Sequence, residues 1–159
     1  MAEIKDILKS HLETIKAKVV ERMVQQKRNA SGKSVASLAV TVDDTSAALW
    51  GAKSFLVMEN GRGPGPVPMG FFEIIYNWAK AKGISAKAKA GQQQLTVEGA
   101  LRSFSGAVAY NIMKKGTKLY RSKEHDDIYS AVIKAELEKM HGEMCISLLD
   151  QISIINQKA

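Results

Sequence analysis

The chain is poor in cysteine, proline and aromatic residues: one cysteine, three prolines, and aromatics at 6% of 159 residues. A lone cysteine, Cys145, makes no internal disulfide, which excludes a small secreted scaffold held by disulfides and fits a reducing compartment or a virion. No run of about 18 apolar residues occurs, so no membrane-spanning helix and no membrane partner are expected. Residues 1–18 mix charges throughout and lack the apolar segment of a secretion signal, so none is expected.

The residue patterns of catalysis are also missing. Gly32-Lys33-Ser34 matches the end of a phosphate-binding loop, but the glycine required upstream falls on Lys27, and a helix rather than a strand leads into it. Gly61-Arg62-Gly63 is too short for a dinucleotide fingerprint and is crowded by prolines. The histidines His11, His125 and His141 form no His-x-x-x-His pair, and one cysteine makes no zinc cluster; no metal site and no cofactor are expected. His125-Asp126-Asp127 reads either as a cation site or as the acidic first turn of a helix, where negative charge offsets the helix dipole. Cys145 sits among isoleucine and leucine and reads as a small core residue rather than a nucleophile. Ser103 and Ser105 have no histidine near them in sequence. An enzyme is therefore not expected.

What is present is a 45% apolar composition, enough for a core, in a length usual for one domain. The net charge of +7 is unevenly spread. Residues 80–123 carry ten basic groups against Glu98 alone, whereas residues 124–159 carry three basic and seven acidic groups. The basic patch comprises Lys80, Lys82, Lys87, Lys89, Arg102, Lys114, Lys115 and Lys118. It reads either as a solvated face or as a surface for nucleic acid or an acidic partner. No helix-turn-helix, zinc finger or RNA-binding signature accompanies it, so any DNA contact would be made through the backbone, without sequence readout.

Periodicity supplies an α+β outline. Ile4, Ile7, Leu8, Leu12, Ile15, Val19 and Met23 predict one helix face over about 2–28, stopped by Ser31 and Gly32. Val35 to Val42, Ala47 to Trp50 and Ser54 to Met58 read as strands of a small antiparallel sheet, with a turn at Asp43-Asp44-Thr45 and a bulge at Gly51. Gly61 to Pro68 contains all three prolines and ends regular structure. Helices are predicted near 70–82, with Phe71, Ile74, Ile75 and Trp78 on one face, and over 96–114, with Val97, Leu101, Phe104, Val108 and Ile112 on one stripe. Lys80 to Gly91 reads as an exposed loop. Residues 125–157 read as one or two helices, with Gly142 as the potential break. The end of this segment is more apolar than one stripe requires, so it is either buried on several sides or meets another subunit. A single domain is expected, with a core over 1–123 and a helical extension over 124–159.

Four segments in order carry a resemblance: Ser31-Gly32-Lys33-Ser34-Val35-Ala36-Ser37; Phe55-Leu56-Val57-Met58-Glu59-Asn60-Gly61-Arg62-Gly63-Pro64-Gly65; Ile75-Tyr76-Asn77-Trp78-Ala79-Lys80-Ala81-Lys82-Gly83-Ile84; and Ala109-Tyr110-Asn111-Ile112-Met113-Lys114-Lys115-Gly116-Thr117. Over residues 1–123 the chain resembles the tail-component family of long-tailed phages, the group of tail-completion and neck proteins of the lambda minor tail protein Z kind. It departs from that pattern after Thr117, where Lys118-Leu119-Tyr120-Arg121 brings no proline.

The resemblance implies a structural virion protein, made in the bacterial host cytoplasm. It would be a ring subunit, often sixfold, at the head–tail neck or the tail end. Its partners would be neighbouring copies and the connector, stopper, tail terminator or tail tube proteins, with DNA passing through the lumen unread. Glu59, Gly61, Arg62, Gly63 and Pro64 would then form either a docking loop between rings or a strand-to-helix connection. Lys80, Lys82, Lys87 and Lys89 would line the lumen or face an acidic neighbouring ring. The alternative is a non-specific DNA-binding protein using residues 80–123.

Overall fold

A computed structural model describes residues 4–43, 46–86 and 96–158, and the fold is α+β. The long N-terminal helix α1, Ile4–Gln25, buries Ile7, His11, Ile15, Val19 and Met23, one residue in every four. It stops earlier than the Ser31-Gly32 pair predicts. Lys27 takes the left-handed conformation at φ 55°, Lys27 N donates to Val24 O at 2.9 Å, and Arg28 N donates to Met23 O at 2.8 Å. This is a Schellman ending built on a lysine, so no glycine marks it in the sequence.

After one helical turn, α2 (Lys33–Ala36), comes a two-stranded antiparallel sheet of β1 (Ala39–Val42) and β2 (Ala47–Trp50). Ala39 pairs with Trp50 and Val42 with Ala47; Asp43 N donates to Ser46 O at 2.7 Å to close the hairpin, while Asp44 and Thr45 lie outside the described residues. The strand expected from Val35 therefore begins four residues later. The third strand expected at Ser54 to Met58 is instead a helix, α3 (Ser54–Asn60). The four-residue apolar run Phe55 to Met58 does not by its own periodicity separate strand from buried helix, and Gly51 follows β2 rather than bulging it.

Among the described residues four further helices follow: α4 (Phe71–Ala81), α5 (Val97–Lys115), α6 (Lys118–Ser122) and α7 (Ser130–Lys158). Gly83, at φ 64°, closes α4 with bonds from Gly83 N to Lys80 O and from Ile84 N to Ala79 O, both 3.0 Å. Thr96 caps α5 by accepting from Gly99 N at 3.1 Å, and Gly116 ends it. The stripe expected on α5 shifts: its buried residues are Ala100 and Ser105, and Val97 is exposed. The acidic stretch His125 to Asp127 precedes α7 rather than forming its first turn, because Asp127 sits at φ 44° and the helix starts at Ser130. Gly142 does not interrupt α7.

The chain forms two compact units. One comprises Met1–Asn29, Lys33–Phe55 and Asp127–Ala159; the other comprises Ala30–Gly32 and Leu56–Asp126. In the first, the hairpin and α7 both pack on α1. Contacts of His11 with Glu136 and Glu143, of Lys18 with Glu136, and of Arg22 with the Asp127 carbonyl show α7 running antiparallel to α1. In the second, α4 packs antiparallel on α5, pairing Phe72 with Gly106 and Glu73 and Tyr76 with Arg102.

Gly142 gives a first testable consequence. A Cβ there would meet nothing within 4 Å, so alanine adds no clash and removes backbone freedom from the unfolded chain. Gly142→Ala is expected to stabilise the protein by about 0.5–1 kcal/mol. A thermal melt with a higher midpoint would bear this out; a lower midpoint would show that Gly142 serves a contact.

Candidate functional site

The glycine–proline segment is tied down along half its length. Thr117 N donates to Arg62 O at 2.8 Å, and Arg62 N donates to Thr117 Oγ1 at 2.9 Å. Gly65 N donates to Met113 O at 2.9 Å. Two segments some fifty residues apart are thus joined by reciprocal bonds, a clasp between the loop after α3 and the end of α5. Glycine is required on both sides. A Cβ on Gly61 would lie 2.5 Å from Tyr120 N, and one on Gly116 would lie 2.6 Å from Arg62 O; both residues have positive φ, 73° and 75°.

The five docking-loop candidates therefore differ in placement. Glu59 is not in the loop at all but on α3, where it is buried and its carbonyl accepts from Asp126 N at 3.1 Å. Gly61, Arg62 and Gly63 belong to the clasp. Arg62 lies 5.4 Å over the Phe71 ring and donates through Nη2 to Pro66 O, while its Nη1 has no hydrogen-bond partner among the described residues. Pro64 is exposed, and beyond it Met69 stands fully in solvent, 103% exposed. The accessible part of the loop is thus Pro64 to Met69. Next to it Val67, Pro68, Phe71, Phe72, Tyr110 and Met113 line an apolar groove of about 310 Å³.

The basic residues do not form one patch. Lys87 and Lys89 lie outside the described residues. Lys80 and Lys82 sit at the C-terminal end of α4, level with the start of α5, while Lys114, Lys115 and Lys118 sit at and beyond the far end of α5. From Arg102 to Lys114 alone the helix rises about 18 Å. Arg102 is already engaged: it lies 4.9 Å over the Tyr76 ring, 3.6 Å from Glu98 and 4.0 Å from Glu73. Tyr76 donates to Glu98 at 3.1 Å; burial pushes its phenol above the ordinary value, and the Glu98 hydrogen bond and charge add to that. Even so, the Leu56–Asp126 unit holds eleven basic and five acidic groups, and so most of the chain's excess charge.

Three features escaped sequence reasoning. His11 is buried, with Nδ1 3.0 Å from Glu136 Oε1 and Nε2 3.1 Å from Glu143 Oε2. Glu136, also buried, lies 2.5 Å from Lys18 Nζ. The signal was present: His11 falls midway between Ile7 and Ile15, and Glu136 between Val132 and Met140, each at its own stripe's period. Cys145 is exposed rather than a core residue, with Sγ 3.7 Å from His141 Nε2, because it lies on the side of α7 away from the Val132, Glu136 and Met140 stripe that packs on α1. His125 Nδ1 sits 2.9 Å from Asn60 Oδ1, which ties the stretch before α7 to the end of α3. Among the described residues no group of three His, Cys, Asp or Glu is placed to hold a metal ion, and no helix is long and apolar enough to cross a membrane.

No protein family, characterised protein or solved structure matches the chain. The chemistry of the arrangement therefore rests on its own residues, which supply a clasp, an apolar groove and separated clusters of cations.

Proposed function

We propose that this chain is a structural protein of a tailed-phage virion, a subunit of a sixfold ring at the head–tail neck or the tail end, and not an enzyme. The observation that carries the reading is the clasp. The second and fourth segments of the family resemblance, Phe55 to Gly65 and Ala109 to Thr117, meet through Arg62 and Thr117, and one glycine of each, Gly61 and Gly116, is sterically required. Segments that resemble a family only in order of occurrence thus have a common physical purpose in this fold. Such a subunit works by shape and charge: it stacks on connector, stopper, terminator or tube proteins and lets DNA pass without reading it. Ring closure would repeat Lys80 and Lys82 around a lumen, and heterologous contacts would join each copy to the next.

The test is electron microscopy of lysates from a phage or prophage with the gene deleted. Filled heads lying apart from tails, or joined particles that fail to infect, are expected; normal infectious particles would overturn the reading. Reversing Lys80, Lys82, Lys87 and Lys89 to glutamate is expected to reduce infectious yield, and an unchanged yield would remove these residues from the lumen.

The charge of the Leu56–Asp126 unit favours a second reading, non-specific DNA binding. It predicts affinity for any duplex that falls steeply with salt, with a log–log slope near −0.9 per phosphate contacted.

A further inference from the structure

The far end of α7 leaves large apolar side chains in water. Ile146, Leu149, Ile152 and Ile155 are between 53% and 66% exposed. Ile146, Leu149 and Ile152 lie on the side of α7 away from the Val132, Glu136 and Met140 stripe that meets α1, and α1 also gives out near their level: His11 lies between Glu136 and Glu143, so Ile4, the first described residue of α1, falls about level with Ser147. Beyond that point α1 offers α7 no described partner. Glu143 and Asp150, two turns apart, border the exposed face on the side of Ile146, and no basic residue follows until Lys158.

The Leu56–Asp126 unit carries the complementary surface. The groove of Val67, Pro68, Phe71, Phe72, Tyr110 and Met113 is apolar, and a cation lies over an aromatic ring on each side of it: Arg62 over Phe71 at 5.4 Å and Lys114 over Tyr110 at 5.9 Å. A projecting helix edged by two carboxylates and an apolar groove edged by two cations are two different patches on one chain, which is what a head-to-tail contact between identical subunits requires. Pairing two α7 ends in parallel would instead set Glu143 against Glu143 and Asp150 against Asp150, and would give a two-fold dimer.

We propose that the projecting end of α7 docks into the Val67–Met113 groove of a second copy of this chain, apolar side chains inserted and Glu143 and Asp150 meeting Arg62 and Lys114 at the rim. This is the helix-in-groove mode of recognition. It rests on the ring reading and names the contact that would propagate the ring.

The experiment is light scattering of the purified full chain after size exclusion, over a concentration series, with circular dichroism to confirm folding. Leu149→Asp with Ile152→Asp, and separately Tyr110→Glu, are each expected to weaken self-association on the order of tenfold or more, since they strike opposite halves of one contact. Lys114→Glu and Asp150→Lys are each expected to weaken it by about threefold, and the two together to recover it. A monomer at every concentration overturns the proposal. So does an oligomer that ignores Tyr110→Glu, or one whose two charge reversals simply add; in either case the ring reading stands, because particle morphology tests it separately.

Discussion

Replacing Gly61 with valine is expected to unfold the Leu56–Asp126 unit, at a cost of more than about 4 kcal/mol. Two effects act together. The φ of 73° is one that β-branched residues rarely adopt. The added Cβ would lie 2.5 Å from Tyr120 N and 2.6 Å from Thr117 Oγ1, the same Oγ1 that receives Arg62 N. The nearest obstacle is backbone inside the clasp, so relief requires parting the two segments. Gly65→Ala is the control: its φ of 139° is strained, but a Cβ there meets nothing within 4 Å, so a loss of only about 1–3 kcal/mol is expected. Urea unfolding of both variants separates the cases; a Gly61→Val loss below about 1 kcal/mol would mean that the clasp is not required for the fold.

The second large effect is at Glu136. Its carboxylate is buried against Lys18 and His11, with Lys139 3.9 Å away. Glu136→Ala leaves His11 buried without that partner, and a loss of about 3 kcal/mol is expected, the low end for a broken buried pair because Lys18 still reaches water. Glu136→Gln keeps hydrogen bonding to His11 and should cost about half as much. The hydrogen bond from Lys18 is the main cause that holds the Glu136 carboxyl below its ordinary value of 4.5, with burial opposing it. A carboxyl whose pKa is lower folded than unfolded contributes its stability above the unfolded value and loses it as pH falls through the folded one. The wild-type protein should therefore lose stability as pH drops from about 5 downward, and Glu136→Gln should lose less over the same window. Equal acid slopes for the two proteins would show that other carboxylates dominate.

Much of the fold was legible because periodicity is local. The apolar spacing along α1 is visible in sequence, and so is the extent of α5; on α4 the helix itself was legible but not its inner face, since Tyr76 and Ala79 are buried while Ile74 and Trp78 are exposed. The failures also have physical causes. Ser54 to Met58 is too short for its apolar run to distinguish strand from helix. The five-residue α6 depends on a Thr117 side chain that accepts from Tyr120 N, and that threonine is equally part of the clasp. The candidate site was legible only as a glycine–proline loop and a count of lysines. Which loop residues are internal is decided by bonds from Arg62 to Thr117, a tertiary fact that no local pattern encodes. The lysines were grouped by sequence proximity, whereas the antiparallel pairing of α4 and α5 sends Lys80 and Lys114 to opposite ends.

The His11–Glu136 pair has a geometric consequence. Ile7 and Ile15 flank His11 one turn away on either side, so sliding α7 along α1 by a turn, about 5.4 Å, would set the carboxylate against hydrocarbon. The pair therefore acts as a detent: two otherwise greasy rods lock at one setting and resist every neighbouring one. The length of α7 that overhangs is then a gauge fixed by a single polar notch, and whatever meets its tip does so at a constant reach.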